Sequence, residues 1–212
     1  GDAGFSLTNA FDCTVYLIDG GAECALIDAG VGVEPERILS EIRTAGVSPE
    51  RITRILLTHG HGDHAGGAAT LSQVCGAQVY AMEPAAGFVA RGDLAALSLE
   101  KAVAAGVYEP GYTFRACPVL PVADGQRIGV GSLALTVVSS PGHSAGHCCY
   151  CLEEDGRRIL FAGDAIQCGG KIALQAIWDC DLQQYVRTIH RLAGLHTLQL
   201  FLTLVAVIAL VV

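Results

Sequence analysis

Thr58-His59-Gly60-His61-Gly62-Asp63-His64-Ala65-Gly66-Gly67 places three imidazoles and a carboxylate within the six positions 59–64. It follows Arg54-Ile55-Leu56-Leu57-Thr58, whose branched and apolar residues read as a buried strand, and it precedes residues 65–75, which return to helical spacing. The donors therefore sit where a strand ends. Imidazole nitrogen and carboxylate oxygen are the donors that zinc and similar divalent ions take. Gly60 and Gly62 are expected to let the loop turn so that alternate side chains converge, and Gly66 and Gly67 to let the next helix approach closely. A lone histidine is more often a hydrogen-bonded core residue, but four such groups crowded at one strand end are costly to bury without a cation. The stretch is read as a metal-binding loop.

Upstream, residues 13–19 and 23–28 are short β-branched runs separated by Gly20-Gly21-Ala22, a hairpin expected at the edge of a sheet. Residues 35–45 carry Ile38, Leu39 and Ile42 at helical spacing, with Gly46 as the stop. Downstream, the spacing predicts a helix over 68–75, a strand over 78–81, and a pair of short helices in the alanine-rich stretch 83–108, broken at Arg91-Gly92-Asp93. From Val119 onward the pattern changes to strands at 119–123, 126–130, 133–139, 148–153 and 158–161, expected to build a second sheet. This order fits an α/β fold of two mixed sheets facing each other with helices outside, an αβ/βα sandwich of four layers. Within it, Pro141-Gly142 makes a sharp turn after a buried strand and aims His143 across the strand ends.

The 212 residues suffice for one domain over 1–212, burying roughly 70% of the surface of the unfolded chain. Charged residues are only 16% of the chain, against about 25% in an ordinary soluble domain. A net charge of −8, with 13 Lys and Arg spread along the chain, argues against nucleic acid as a partner. Nine scattered cysteines do not form the framework of a small secreted domain and point to a reducing, cytoplasmic setting. Cys148-Cys149-Tyr150-Cys151 reads as buried structural thiols in a strand rather than a second metal site. The chain starts Gly1-Asp2 with no basic, apolar leader, so no signal peptide is expected.

His59-x-His61-x-Asp63-His64 resembles the signature of the metallo-β-lactamase fold hydrolases. Pro141-Gly142-His143, and Gly163-Asp164 after the apolar run Arg158-Ile159-Leu160-Phe161, resemble that family's next elements in the same order, so that the likeness runs from about Thr14 to Leu195. The resemblance implies the same four-layer fold. It also implies that His59, His61 and His143 hold one metal, that Asp63 and His64 hold a second, and that Asp164 bridges both. A hydroxide between the ions would then attack an acyl carbon, with zinc expected and iron or manganese as alternatives. Asp28 is either support for the metal ligands or a turn cap, and His147 is expected to support the fold rather than bind metal. Residues 83–108 are either a lid or an inert surface.

The resemblance has one departure. The family's second metal usually receives a further histidine from a turn after the last strand, and no Pro-Gly-His-type turn follows Leu195. His196 precedes that strand and is not promoted to ligand. The second metal is therefore expected to be weak, absent, or completed by other groups, in which case Asp63 would serve as a general base. The apolar segment 198–212 is 15 residues, short of the roughly 20 that span a bilayer. It reads as a core strand with an apolar extension, with a C-terminal membrane anchor as the alternative.

Cys168-Gly169-Gly170-Lys171 resembles in part the element with which glyoxalase II meets its substrate's carboxylate, which makes Lys171 a candidate substrate-binding residue. The expected activity is hydrolysis of a small-molecule thioester, lactone or related acyl substrate. The alternatives are a mononuclear iron enzyme of the persulfide dioxygenase type, held by His59, His143 and Asp164, and a non-catalytic scaffold. Asp164 stands where many of the family's β-lactamases have cysteine, which argues against lactamase activity.

Overall fold

The structure, a computed structural model, describes residues 12–154, 157–195, 199–201 and 207–211. Strands β1 (Thr14–Asp19) and β2 (Cys24–Ile27) form the antiparallel hairpin. Helix α1 (Pro35–Thr44) starts on a proline that needs no partner for its missing N–H, and it buries Ile38, Leu39 and Ile42. Strand β3 (Ile52–Leu56) then lies parallel to β2. A single helical turn α2 (Gly62–Ala65) and helix α3 (Ala68–Cys75) lead to β4 (Gln78–Met82), parallel to β3. Helices α4 (Ala85–Arg91) and α5 (Leu99–Ala104) are the expected pair, with Gly92 ending the first in the left-handed region. Strand β5 (Val119–Val122) follows.

The chain then forms an antiparallel meander of β6 (Arg127–Val130), β7 (Leu133–Ser139), β8 (Cys148–Glu154) and β9 (Arg157–Phe161). Helix α6 (Leu182–Ala193) and the strands β10 (Gln199–Phe201) and β11 (Val207–Val211) complete the described elements. The first sheet has the order β11-β1-β2-β3-β4-β5 and the second β10-β9-β8-β7-β6.

Strand alternation makes the layers. Val15 and Leu17 pack with Ile38, Leu39, Ile42 and Leu71 of the helices, while Tyr16 and Ile18 pack with Val137, Tyr150 and Phe161 of the other sheet. On the far face of the second sheet, Cys149, Cys151 and Leu160 pack against Leu192 of α6. Each large apolar side chain so buried contributes roughly 1.5–3 kcal/mol. The cysteines of β8 split as a strand requires, Cys148 facing the other sheet and Cys149 and Cys151 facing α6; all three are buried and unbridged.

Two expectations are corrected. Strand β5 belongs to the first sheet, parallel to β4, so the change of sheet comes at Asp124-Gly125 rather than at Val119. Pro121 lacks an N–H to give to a further strand, which suits β5 to the edge position it holds. The hairpin is not at the edge, because β11 pairs in parallel with the outer side of β1. Helix α3 spans the residues the spacing predicts, and the metal loop itself ends in the separate turn α2, which contains Asp63 and His64.

In the tail, β10 extends the second sheet and β11 the first, while His196 and residues 202–206 lie outside the described residues. Among the described residues no helix is long and apolar enough to cross a membrane.

Candidate metal centre

The C-terminal ends of β2, β3, β7 and β9 meet at one end of the sandwich, and each delivers part of the site: Asp28, residues 58–64, residues 140–147 and Asp164. The two sheets are tied there, since Cys148 N–H donates to Thr58 O at 2.8 Å and Tyr150 O–H to Leu57 O at 2.9 Å. Gly66 and Gly67 permit the close approach expected of them, because a Cβ would lie 2.2 Å from Val31 O at Gly66 and 2.0 Å from Ala29 O at Gly67. Gly60 and Gly62 serve a different purpose from the one expected. Neither has a positive φ; a side chain at either would strike Leu97 or Leu99, so these glycines make room for α5 and the residues before it.

Hydrogen bonding fixes the direction of each imidazole lone pair. Thr58 Oγ1 gives its proton to Asp28, whose two oxygens lie 3.0 and 2.9 Å away, so the contact at 3.0 Å to His59 Nδ1 is donated by the histidine. His59 Nε2 is then bare. His143 Nδ1 faces the carbonyl of Ala173 at 3.1 Å, so His143 Nε2 is bare as well. Both bare nitrogens point at His61 Nδ1, at 3.0 and 3.1 Å, while His61 Nε2 is buried without a partner. At most one proton, on His61, is available to three converging nitrogens. Burial, and then the neighbouring imidazoles, hold His59 and His61 far below the ordinary histidine pKa, so added protons do not relieve the crowding. A tetrahedral cation with nitrogen ligands at about 2.0–2.1 Å has edges of about 3.3 Å, close to this spacing.

A second set adjoins the first. His64 Nδ1 donates to Asp28 Oδ2 at 2.8 Å, which turns its Nε2 toward Asp164 Oδ1 at 3.3 Å and Asp63 Oδ2 at 3.5 Å. Burial would lower the His64 pKa, but the neighbouring Cys13, Asp28, Asp63 and Asp164 outweigh it and hold it well above the ordinary value, so that Nε2 takes a proton wherever no cation takes its place. The other oxygen of Asp164 lies 3.5 Å from His143 Nε2, so this carboxylate spans both sets. His64 Nε2 and Asp164 Oδ1 are both buried without a hydrogen-bond partner. Burial would raise Asp164, but His64, His143 and His147 hold it well below the usual carboxylate range. His59, His61 and His143 on one side, and His59, His64 and Asp164 on the other, each bring donor atoms within 4.8 Å of one another. The residues present thus fit a divalent cation, because they leave lone pairs and a carboxylate oxygen that only a cation or an extra proton would satisfy.

Asp28 combines the two roles weighed for it. Its φ is +63°, an uncommon value away from glycine, and it accepts from Thr58 N at 2.7 Å as well as from the Thr58 hydroxyl and His64. Cys13 lies against the same pair, but burial pushes its thiol up to about 12, so it stays protonated. His147 packs on His59 with ring centroids 5.0 Å apart, and its Nδ1 lies 2.8 Å from Ser140 Oγ. Burial and the neighbouring His143 lower His147 to about 3.

Tyr108 was not singled out in the sequence. Its hydroxyl donates to Asp63 Oδ1 at 2.9 Å and accepts from Asp63 N at 3.1 Å, and its ring stacks on Tyr112 at 4.8 Å. A cavity of about 350 Å³ opens beside His61, Asp63 and Tyr108, walled by α5 and by residues 175–177. Stretch 83–108 is therefore a wall of the site rather than an inert surface. Lys171 is exposed, its carbonyl closing a turn with Gln167 N at 2.8 Å, and the cationic residue that lines the cavity is Lys101.

The family model described as the metallo-beta-lactamase superfamily matches residues 8–197. The chain belongs to this superfamily. Its relatives include the lactamase-like protein nscB of Neosartorya fischeri, 31% identical over 85% of this chain and 44% of that protein. The acyl-coenzyme A thioesterase MBLAC2 of Bos taurus is 34% identical over 74% of the chain and 60% of its own length. An atrochrysone carboxyl ACP thioesterase of Aspergillus fumigatus is 28% identical over 85% and 46%. The chain thus spans about half the length of the curated relatives it matches. Among solved structures, the MIM-2 metallo-beta-lactamase superposes with a TM-score of 0.68 at 26% identity, covering 87% of this chain and 67% of that one. The subclass B3 enzyme BJP-1 of Bradyrhizobium japonicum reaches 0.73 over 94% and 74%, at 22% identity, and so speaks for the superfamily's fold alone.

Proposed function

We infer that the chain is a metal-dependent hydrolase of acyl thioesters. The observation that carries this reading is the convergence of three imidazole nitrogens at 3.0 and 3.1 Å with too few protons to satisfy them, beside a carboxylate that spans a second donor set. His59, His61 and His143 would hold one divalent ion, and His64 with Asp63 a second, with Asp164 between. Zinc is the expected metal. When bound, such ions lower the pKa of a coordinated water to about 7 and polarise an acyl oxygen.

The protein's own groups do the rest. Asp28 and Thr58 hold His64 and His59 in the orientations that turn their Nε2 atoms toward the site. Tyr108 fixes one oxygen of Asp63 and leaves the other to face His64, or to take a proton from water if the second ion is weak. The apolar cavity beside His61 and Asp63 receives the acyl group and excludes solvent from it. Two of the relatives named above are thioesterases, one for acyl-coenzyme A and one for a carrier-bound acyl chain, which is why thioesters are placed ahead of lactones.

The test is metal content per chain in protein purified without added metal, with hydrolysis of a panel of thioesters, lactones and β-lactams. We expect one to two zinc-like ions, thioester turnover that is lost on chelation, and a folded but inactive His61→Ala variant. Activity retained in His61→Ala would sink the reading. Iron as the resident metal, with oxygen uptake on persulfides, would favour the sulfur-oxidising alternative.

A further inference from the structure

The cavity beside the metal centre carries a polar feature that metal ligation does not use. One face of α5 and its flanking residues lines the cavity with Ser98, Lys101, Ala102 and Ala105, spaced i, i+3, i+4 and i+7. The remaining surface of that wall is apolar, with Leu97 and Val107, and Ile177 faces it from the opposite side. Two residues break the apolar pattern. Lys101 is exposed at the cavity rim, its carbonyl accepts from Ala105 N–H, and its ammonium has no ion pair or hydrogen bond among the described residues; it is the one lysine or arginine lining a cavity whose metal end holds Asp63. Ser98 is 6% exposed, and its buried hydroxyl has no partner although both of its backbone groups are bonded.

Ser98 also has a φ of +57°, and among the described residues the only other non-glycine with positive φ is Asp28, inside the metal network. An unpaired buried hydroxyl on a strained backbone is a double cost in free energy, of the kind that collects where a ligand supplies the missing partner. Rotation about χ1 moves Oγ among three staggered positions while the backbone stays fixed. The wall is preformed: Trp178 Nε1–H donates to Ala96 O at 3.1 Å and its ring meets Phe88 at 6.0 Å, joining the stretch before Ser98 to the opposite wall.

We propose that Ser98 and Lys101 form a subsite for an anionic oxygen group, carboxylate or phosphate, that the substrate carries beyond its scissile bond. The substrate's reacting carbonyl lies at the His61 and Asp63 end, its apolar part runs along Leu97, Ala102 and Ile177, and the anion meets the ammonium of Lys101 and the hydroxyl of Ser98. This rests on the thioesterase reading for the identity of the reacting group. The anion has two chemical sources, a second carboxylate on the acyl chain or the phosphate of a pantetheine arm on the leaving side. Either forms charge-assisted hydrogen bonds on a wall whose other side chains, Leu97, Ala102, Ala105 and Val107, are apolar, with Gln175 the further polar residue on the opposite side.

The test is equilibrium binding to the metal-loaded protein by calorimetry, which does not depend on turnover. One pair of probes is an α,ω-dicarboxylate and the monocarboxylate of equal chain length; the other is 4′-phosphopantetheine and pantetheine. We expect wild type to prefer the anionic member of one pair by about tenfold. The pair that shows the preference identifies the source. Lys101→Met should bring the ratio close to one, and Ser98→Ala should reduce it several-fold. Ser98→Gly should reduce the ratio while raising Tm, because glycine adopts the positive φ freely. Equal binding within both pairs, or a preference that persists in both Lys101→Met and Ser98→Ala, overturns the subsite. A lower Tm in Ser98→Gly assigns that hydroxyl to folding and overturns its part. A preserved preference in a protein that hydrolyses no thioester upholds the subsite and refutes the hydrolase reading alone.

Discussion

Tyr108 touches the candidate metal centre through the carboxylate of Asp63. Its two hydrogen bonds to Asp63, from residues 45 apart in sequence, leave Asp63 Oδ2 facing His64. Removing the hydroxyl frees Asp63 to rotate, so Tyr108→Phe is expected to weaken the metal at the Asp63 and His64 end by about 10–100-fold. The ion at His59, His61 and His143 should be little affected. Competition with a chromophoric chelator reads the two sites separately; equal weakening of both would mean that Tyr108 matters only for packing. Asp28→Ala should be more damaging, because it leaves Thr58 N, the Thr58 hydroxyl and His64 Nδ1 buried without their acceptor. A loss of about 2–4 kcal/mol in denaturant stability is expected.

Helix α6 holds together two of the loops that carry donors. Tyr185 O–H donates to Asp164 O at 2.5 Å, and Asp181 N–H donates to Gly142 O at 2.9 Å, one residue before His143. Gly142 has a φ of +134°, and a Cβ there would lie 2.4 Å from the backbone of Tyr185. Gly142→Ala should therefore displace the helix or the turn, at a cost of about 1–3 kcal/mol or more, and lower metal affinity with it. Thermal melts with and without added zinc check both effects.

At the other end of α6, Arg191 holds both oxygens of Asp124 at 2.8 and 2.9 Å. Burial raises the Asp124 pKa, but the Ser139 N–H and Arg191 outweigh it and hold the carboxyl below its ordinary 3.8. A depressed folded-state pKa gives stability that is complete above the unfolded value and is lost as pH falls through the folded one. The cost of Asp124→Asn should thus be constant above about pH 5 and fade below 3.8. Both side chains are nearly half exposed, so that cost is below about 1 kcal/mol.

Over the whole molecule, the candidate metal centre joins the two sheets, since its donors come from the end of β3 in one and of β7 and β9 in the other, with Asp28 after β2 holding them in place. Metal bound only by the folded chain stabilises it through mass action, by about 2.7 kcal/mol at a free concentration of 100 times Kd. Stripping with a chelator should lower Tm by several degrees, and returning zinc should restore it. An unchanged Tm would mean that the imidazoles converge without a bound ion. The apolar contacts between Tyr16, Ile18, Tyr150 and Phe161 remain in either state, so the stripped protein should stay folded.

The amino-acid sequence by itself determined the family, the alternation of strands and helices, and the place of His59, His61, Asp63, His64, His143 and Asp164 at strand ends. It could do so because those donors fall in short local motifs and because strand and helix periods are written into neighbouring residues. Only the tertiary structure decided that β5 joins the first sheet and that β11 covers the hairpin, since strand partners are chosen by pairing between distant segments. It alone decided which nitrogen of each histidine faces the site, because that depends on Thr58, Asp28 and the carbonyl of Ala173 meeting across the fold. Tyr108, Ser98 and Lys101 were not legible for the same reason. Nothing in an alanine-rich stretch distinguishes them until folding sets that stretch against the metal loop, on the room left by Gly60 and Gly62.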